Sequence, residues 1–250
     1  MHYRTKIALF LVVFITVFLI IRYAGEGFIL KLTLNDLGGV PWLFSSIGLI
    51  FSILAGFLIQ RLWENWEGLQ QVVLDEIYTL DRILLSAELA SAVHAQNIRD
   101  CISDYIQHIA TYEWAQMSTS TIDAKAGKII ARIRVEFQND DVPTEEKNIA
   151  LALISKVSRI RQSRLRLMAR RMPYIIKHAF LLCTSMVIVL SLFVGVKSIL
   201  LDLLFTTSIS VLVFVIYLIV DDLDDMLSPG SWHISPRQYK EFFDSEYKKV

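Results

Sequence analysis

Four apolar runs, Ile7–Ile21, Pro41–Ile59, Ile175–Val196 and Ile199–Val220, carry few or no charges and decide what this chain can fold into. A helix needs roughly 20 apolar residues to cross a bilayer core of ~30 Å, and the last three runs meet that length. The first is shorter and reaches only about 22 Å as a helix. Arg22 snorkelling and Tyr23 at the headgroups would extend it. The opening "MHYRTK" and the short run also have the outline of a signal peptide. Against that, "IRYAGEG" offers no clear small-x-small cleavage site and sets Arg22 directly after the run. Hydrophobic residues make up 54% of the chain. The excess over a soluble domain's roughly 45–50% is concentrated in these blocks.

The reading is an all-α integral membrane protein with four transmembrane helices in two hairpins. The spans fall at about 7–23, 41–60, 175–196 and 199–220. The first hairpin occupies 1–60, a helical domain 61–174, the second hairpin 175–222 and a tail 223–250. Orientation follows from "KVSRIRQSRLRLMARRMPYIIK", Lys156 to Lys177, which holds eight basic residues and no acid. With four spans this cluster lies on the same side as Arg4 and Lys6, and Lys/Arg-rich flanks stay in the cytoplasm. Both termini and the 61–174 domain are then cytoplasmic. Only 22–40 and the turn at Lys197–Ser198 lie outside. Cys101 becomes cytosolic and Cys183 intramembrane, so no disulfide is expected.

The segment 61–174, with two glycines and two prolines, reads as helix almost throughout. The second span runs on into it without a break. Leu62, Trp66, Leu69, Val73, Glu76, Leu80 and Ile83 recur at spacings of four and three, a coiled-coil-like seam. A second helix places Ile98, Ile102, Tyr105, Ile109 and Tyr112 on one face, and a third covers about 119–138. A fourth starts with Thr144 as N-cap and Glu145 and Glu146 in its first turn. It runs to Arg171, where Met172-Pro173 breaks it before the third span.

On that fourth helix, Ile149, Leu153, Ile154, Val157, Ile160, Leu167 and Met168 define an apolar face. Lys156, Arg159, Arg166 and Arg170 point away from it, whereas Arg161, Arg164 and Arg171 fall inside it. A buried charge is costly unless paired, so these three call for internal acids. The candidates are Glu76, the only charge in the seam, and Asp221, Asp222, Asp224 and Asp225 at the end of the fourth span. The outward cations suit anionic lipid. Nucleic acid is excluded as a partner, because the segment is pinned to a membrane with no reading module nearby.

Within the second span, Ser45, Gly48, Ser52 and Gly56 share one face and permit close helix approach. Packing inside the subunit and a pore- or subunit-facing surface both fit. Phe44, Phe51 and Leu58 line a different face, suited to an apolar constriction or to lipid. In the fourth span Asp202, Thr206, Ser210, Tyr217 and Asp221 form a polar stripe. It reads as a hydrated path, or as Asp202 paired with Lys197 at the outer turn. No phosphate-binding glycine loop, Cys-x-x-Cys or His-Glu-x-x-His occurs. Asp104 and His108 lie four apart, too few for a metal site. The reading is therefore not an enzyme, with no cofactor and no metal.

The stretches "LWENWEGLQQVVLDEIYTL", "YIQHIATYEW", "SRLRLMARRMP" and "WHISPRQY" together resemble a family of bacterial and plant membrane proteins described as bestrophin-like. Glu76, Tyr105, Glu113-Trp114, Arg164, Arg166-Leu167 and Pro173 stand where that family is expected to carry like residues, and the similarity spans roughly 41–237. The family's tail has Asp-Arg-Pro-Phe shortly after the last span, where this chain has Asp225-Met226-Leu227 in place of Arg-Pro-Phe. Through its remote similarity to true bestrophins, which are pentameric anion channels, the resemblance implies a homo-oligomer around a pore. The expected wall is Ser45, Gly48, Phe51, Ser52 and Gly56. Animal bestrophins bind calcium through acids after the final span, which makes Asp221, Asp222, Asp224 and Asp225 a weak calcium candidate. A non-conducting scaffold that binds a protein through 61–174 is the alternative.

Overall fold

A computed structural model describes residues 3–23, 39–90, 92–114, 124–138, 143–193 and 198–247. Helices in chain order are α1 (Tyr3–Tyr23), α2 (Val40–Ala90), α3 (Ala92–His108), α4 (Ala124–Glu136), α5 (Thr144–Met168), α6 (Tyr174–Ser191), α7 (Ile199–Asp224) and α8 (Arg237–Tyr247). A π-helical turn, Ile109–Glu113, continues α3. No strand occurs among the described residues. Four of the helices, α1, α2, α6 and α7, are long and apolar enough to cross a membrane. This is an integral membrane protein.

The chain divides into two compact units, Met1–Glu64 with Arg171–Trp232, and Asn65–Arg170 with His233–Val250. In the first unit a run of stacked rings joins all four apolar helices. Phe51 of α2 stacks on Phe180 of α6 at 5.7 Å, and Phe180 on Tyr217 of α7 at 6.3 Å. Tyr217 lies 6.3 Å from Phe214, which stacks on Phe10 of α1 at 4.1 Å. Phe14 and Phe18 of α1 then close over Leu192 and Leu203. The ladder orders the helices α2, α6, α7, α1. The third and fourth spans pack together, and α1 lies against α7. The side chains of Arg22 and Tyr23, the segment 24–38 and Lys197 lie outside the described residues.

In the second unit, α3 packs on α4 and α8, and α4 on α5. The seam of α2 is the buried one: Leu62, Leu69, Val73, Glu76, Leu80 and Ile83 are all buried, with Trp66 half-buried. Three details differ from expectation. Pro143, not Thr144, is the N-cap of α5, and no side chain caps it. A proline tolerates the position because its missing N–H is one that the first turn leaves unpaired anyway. Ile149 is exposed, since the buried face of α5 begins only at Ala150 and Ile154. Tyr112 is exposed although α-helical phase would bury it beside Tyr105. The π-helical turn, bonded i to i+5, takes up an extra residue and turns Glu113 inward instead.

Candidate functional site

The second unit buries a four-charge cluster. Arg164 of α5 is fully buried, and so is Glu76 of α2. Arg164 Nε donates to Glu76 Oε2 at 2.7 Å, and its Nη2 to Glu76 Oε1 at 3.4 Å and to Glu113 Oε2 at 2.6 Å. Arg161, one turn back, donates through Nε to Glu113 Oε1 at 2.9 Å and pairs with the same oxygen through Nη2. Two phenols complete Glu76: Tyr105 Oη donates to Oε1 at 2.5 Å and Tyr239 Oη to Oε2 at 2.8 Å. The Arg164 guanidinium lies 5.8 Å from the ring centroids of both Trp114 and Tyr239. Trp114 Nε1 donates to the Ile234 carbonyl at 3.2 Å.

Two carboxylates and two guanidiniums cancel, and every oxygen of both acids accepts a charge-assisted bond, which is the condition for burying such a group. Burial alone raises a carboxyl pKa, but Arg164 and Arg161 outweigh it and hold Glu113 below the ordinary carboxylate range. Burial pushes the Tyr105 phenol well above its usual value, reinforced by the Glu76 charge. Burial likewise opposes the charge on Arg164, yet the facing phenols and carboxylates hold its pKa well above normal. The sign for Glu113 is that of a depressed acid. Its contribution is whole above the unfolded carboxyl value of about 4.3 and is lost as pH falls through the lower folded value. Acid unfolding followed by tryptophan fluorescence should therefore begin below about pH 4, and Glu113→Gln should flatten that limb while lowering stability at neutral pH.

The acids at the end of α7 serve different partners. Asp224 accepts the Met172 N–H at 2.7 Å and Lys177 Nζ at 3.1 Å. Asp221 pairs with Lys177 at 3.1 Å, and Asp225 with Arg171 at 2.5 Å. Asp222 accepts the backbone N–H groups of Ser231 at 2.9 Å and Trp232 at 3.3 Å. A methyl added at Gly230 would run into that carboxylate. Burial raises Asp225, but Ser228 and Arg171 more than offset it and hold its pKa below normal. Arg171 thus finds the aspartates, whereas Arg161 and Arg164 find Glu113 and Glu76. All four calcium candidates are engaged within the protein: Asp221 and Asp224 share Lys177, Asp225 pairs with Arg171, and Asp222 takes backbone N–H groups. Among the described residues no three His, Cys, Asp or Glu side chains are placed to hold a metal.

The polar stripe of α7 is turned into the protein. Asp202, Thr206 and Ser210 are buried, and Ser210 Oγ lies 3.1 Å from Ser191 Oγ of α6. Tyr217 belongs to the ring ladder. On α2, Phe51 is only 3% exposed and stacked on Phe180, so its ring cannot also line a path on the outside of the subunit. Leu58 is buried with it. Ser45, Ser52 and Gly56 are exposed and Gly48 half-exposed. A Cβ built on Gly48 or Gly56 meets nothing within 4 Å, so packing within the subunit does not require either glycine.

The sequence model of the Bestrophin-like domain matches residues 7–238. The chain belongs to the Bestrophin-like family. Its fold is that of a bacterial bestrophin homologue from Klebsiella pneumoniae, solved with a W252A substitution. The two agree with a TM-score of 0.76 at 11% identity, over 98% of this chain and 96% of that one. The same homologue solved by zinc phasing gives 0.72 at 10% identity, covering 98% and 97%. A structure described as a membrane protein with a P143A substitution gives 0.76 at 11% identity, covering 98% of both chains. No curated protein sequence matches. Within this Bestrophin-like chain, periodicity placed Tyr105 on a buried face without showing its partner, and charge and periodicity did not identify Glu113, Trp114 and Tyr239 as cluster members. The signal for Glu113 was the π-helical turn, which a single helical period hides. For Tyr239 it was a partner 163 residues away.

Proposed function

We propose that this protein is the subunit of a homo-oligomeric ion channel, a pentamer, with the small-residue face of α2 lining the shared path. The observation that carries the reading is the split of α2: Phe51 and Leu58 are buried while Ser45, Ser52 and Gly56 lie uncovered. Small residues leave room for an ion, and serine hydroxyls can replace part of its water. Four spans tied together by side chains enclose no path of their own, so a ring of copies is needed to make one. Family membership and fold support the same reading. The site lies in a bacterial inner membrane with both termini cytoplasmic, the orientation that the Lys/Arg bias favours.

Purified protein in planar bilayers should conduct. Ser52→Trp should cut unitary conductance at least about tenfold by filling the path, and Ser52→Lys should move the reversal potential toward that of the anion. Native mass spectrometry should count five subunits. A monomer or dimer, or a conductance indifferent to both Ser52 variants, removes the pore. The second reading, a non-conducting scaffold, has its own observation: Leu74, Tyr78, Leu85 and Leu89 stay exposed along α2. An apolar patch of that kind marks a protein contact. A silent bilayer together with a partner retained through these residues favours the scaffold.

A further inference from the structure

We infer that Arg166 and Arg170, at the C-terminal end of α5, form a docking surface for the headgroups of anionic phospholipids. The helix sorts its cations into two kinds. Arg161 and Arg164 are buried and fully paired, whereas Lys156, Arg159, Arg166 and Arg170 are exposed, and among the described residues none of these four is ion-paired. Arg166 is exposed and spends its Nε on the Gln162 carbonyl within its own helix, while its terminal nitrogens enter no ion pair among the described residues. No acid occurs between Lys147 and Leu201 to neutralise them from neighbouring sequence.

Covalent reach fixes which of the four meet lipid. Arg170 stands four residues before Tyr174, where the apolar helix α6 begins. Four residues span at most ~14 Å even when fully extended. Lys156 and Arg159 lie a further ~15 and ~10 Å along the helix from Arg166 at 1.5 Å per residue. Both distances exceed a screening length of about 8 Å at physiological salt. Guanidinium is the better match to a phosphodiester, because its fork binds two oxygens at once. Membrane insertion alone does not account for the pair, since Arg171 and Lys177 supply positive charge at the same boundary and both are ion-paired with aspartates. The inference holds whether or not the protein conducts.

The test is a titration of the full-length protein in mild detergent with short-chain phosphatidylglycerol, read by native mass spectrometry. Short-chain phosphatidylcholine and inorganic phosphate serve as parallel probes. Each cation near a charged surface contributes about 1 kcal/mol, so Arg166→Gln with Arg170→Gln should weaken phosphatidylglycerol binding roughly 30-fold. Lys156→Gln with Arg159→Gln should weaken it no more than about threefold, given the screening distance. Arg166→Lys with Arg170→Lys should retain most of the binding, which separates charge from damage to the fold. Unchanged phosphatidylglycerol binding in the first variant overturns the inference. So does equal loss from both glutamine pairs, or phosphatidylcholine or phosphate binding as tightly as phosphatidylglycerol.

Discussion

Arg164→Met lowers the unfolding free energy of the helical body by about 3–5 kcal/mol, the cost of leaving a buried charge without its partner. The substitution roughly preserves volume but strips Glu76 of the one cation that pairs with it among the described residues, and Glu113 of one of two. Glu76 would keep two phenol donors, too little to stabilise a fully buried carboxylate. Adding Glu76→Gln removes the stranded charge, so the double variant should be more stable than the sum of the two single losses by about 1–3 kcal/mol. Glu76→Arg alone should abolish folded protein, and Arg164→Glu in the same chain should restore part of it. Thermal unfolding in detergent, followed through Trp114 beside the guanidinium, reads each step. Strict additivity would mean that the two side chains do not act as a pair.

Phe180→Ala is the second large effect. The ring is 1% exposed and stacked on both Phe51 and Tyr217, so its removal opens a cavity where three helices meet. Phenylalanine truncations of this kind cost about 3–5 kcal/mol. Because the ring joins α2 to α6, the loss should also loosen α2, and conductance should change although residue 180 lies off the small-residue face. Phe180→Leu should recover most of the stability. A variant with lower stability and unaltered conductance would show that α2 does not depend on the ladder for its position.

The architecture was readable because its causes are local: apolar runs of the right length, a heptad-like seam, and a proline break before the third span. Arg161 and Arg164 betrayed themselves by sitting on an apolar face, and Glu76 by being the only charge in its seam. Burial of a charge leaves a sequence mark whenever the surrounding pattern is regular. The partner of a buried charge leaves none when the pattern slips or the distance is long, which is why Glu113 was marked only by the family resemblance and Tyr239 was not singled out. Phe51 illustrates another limit. Periodicity separates the faces of a membrane helix, but both faces are apolar, so only packing tells which one meets the rest of the subunit.

The π-helical turn at Ile109–Glu113 has a bearing on comparison between relatives. Upstream of it the inward positions run Ile98, Ile102, Tyr105 and Ile109; downstream the count restarts at Glu113. The segment therefore carries two phases separated by one residue. A relative that closes the turn as ordinary helix would be one residue shorter here. An alignment without a gap at this point would then set its inward acid opposite Tyr112, making a residue that faces a guanidinium in both proteins look unshared. At an identity near 11%, such a slip is enough to hide the equivalence.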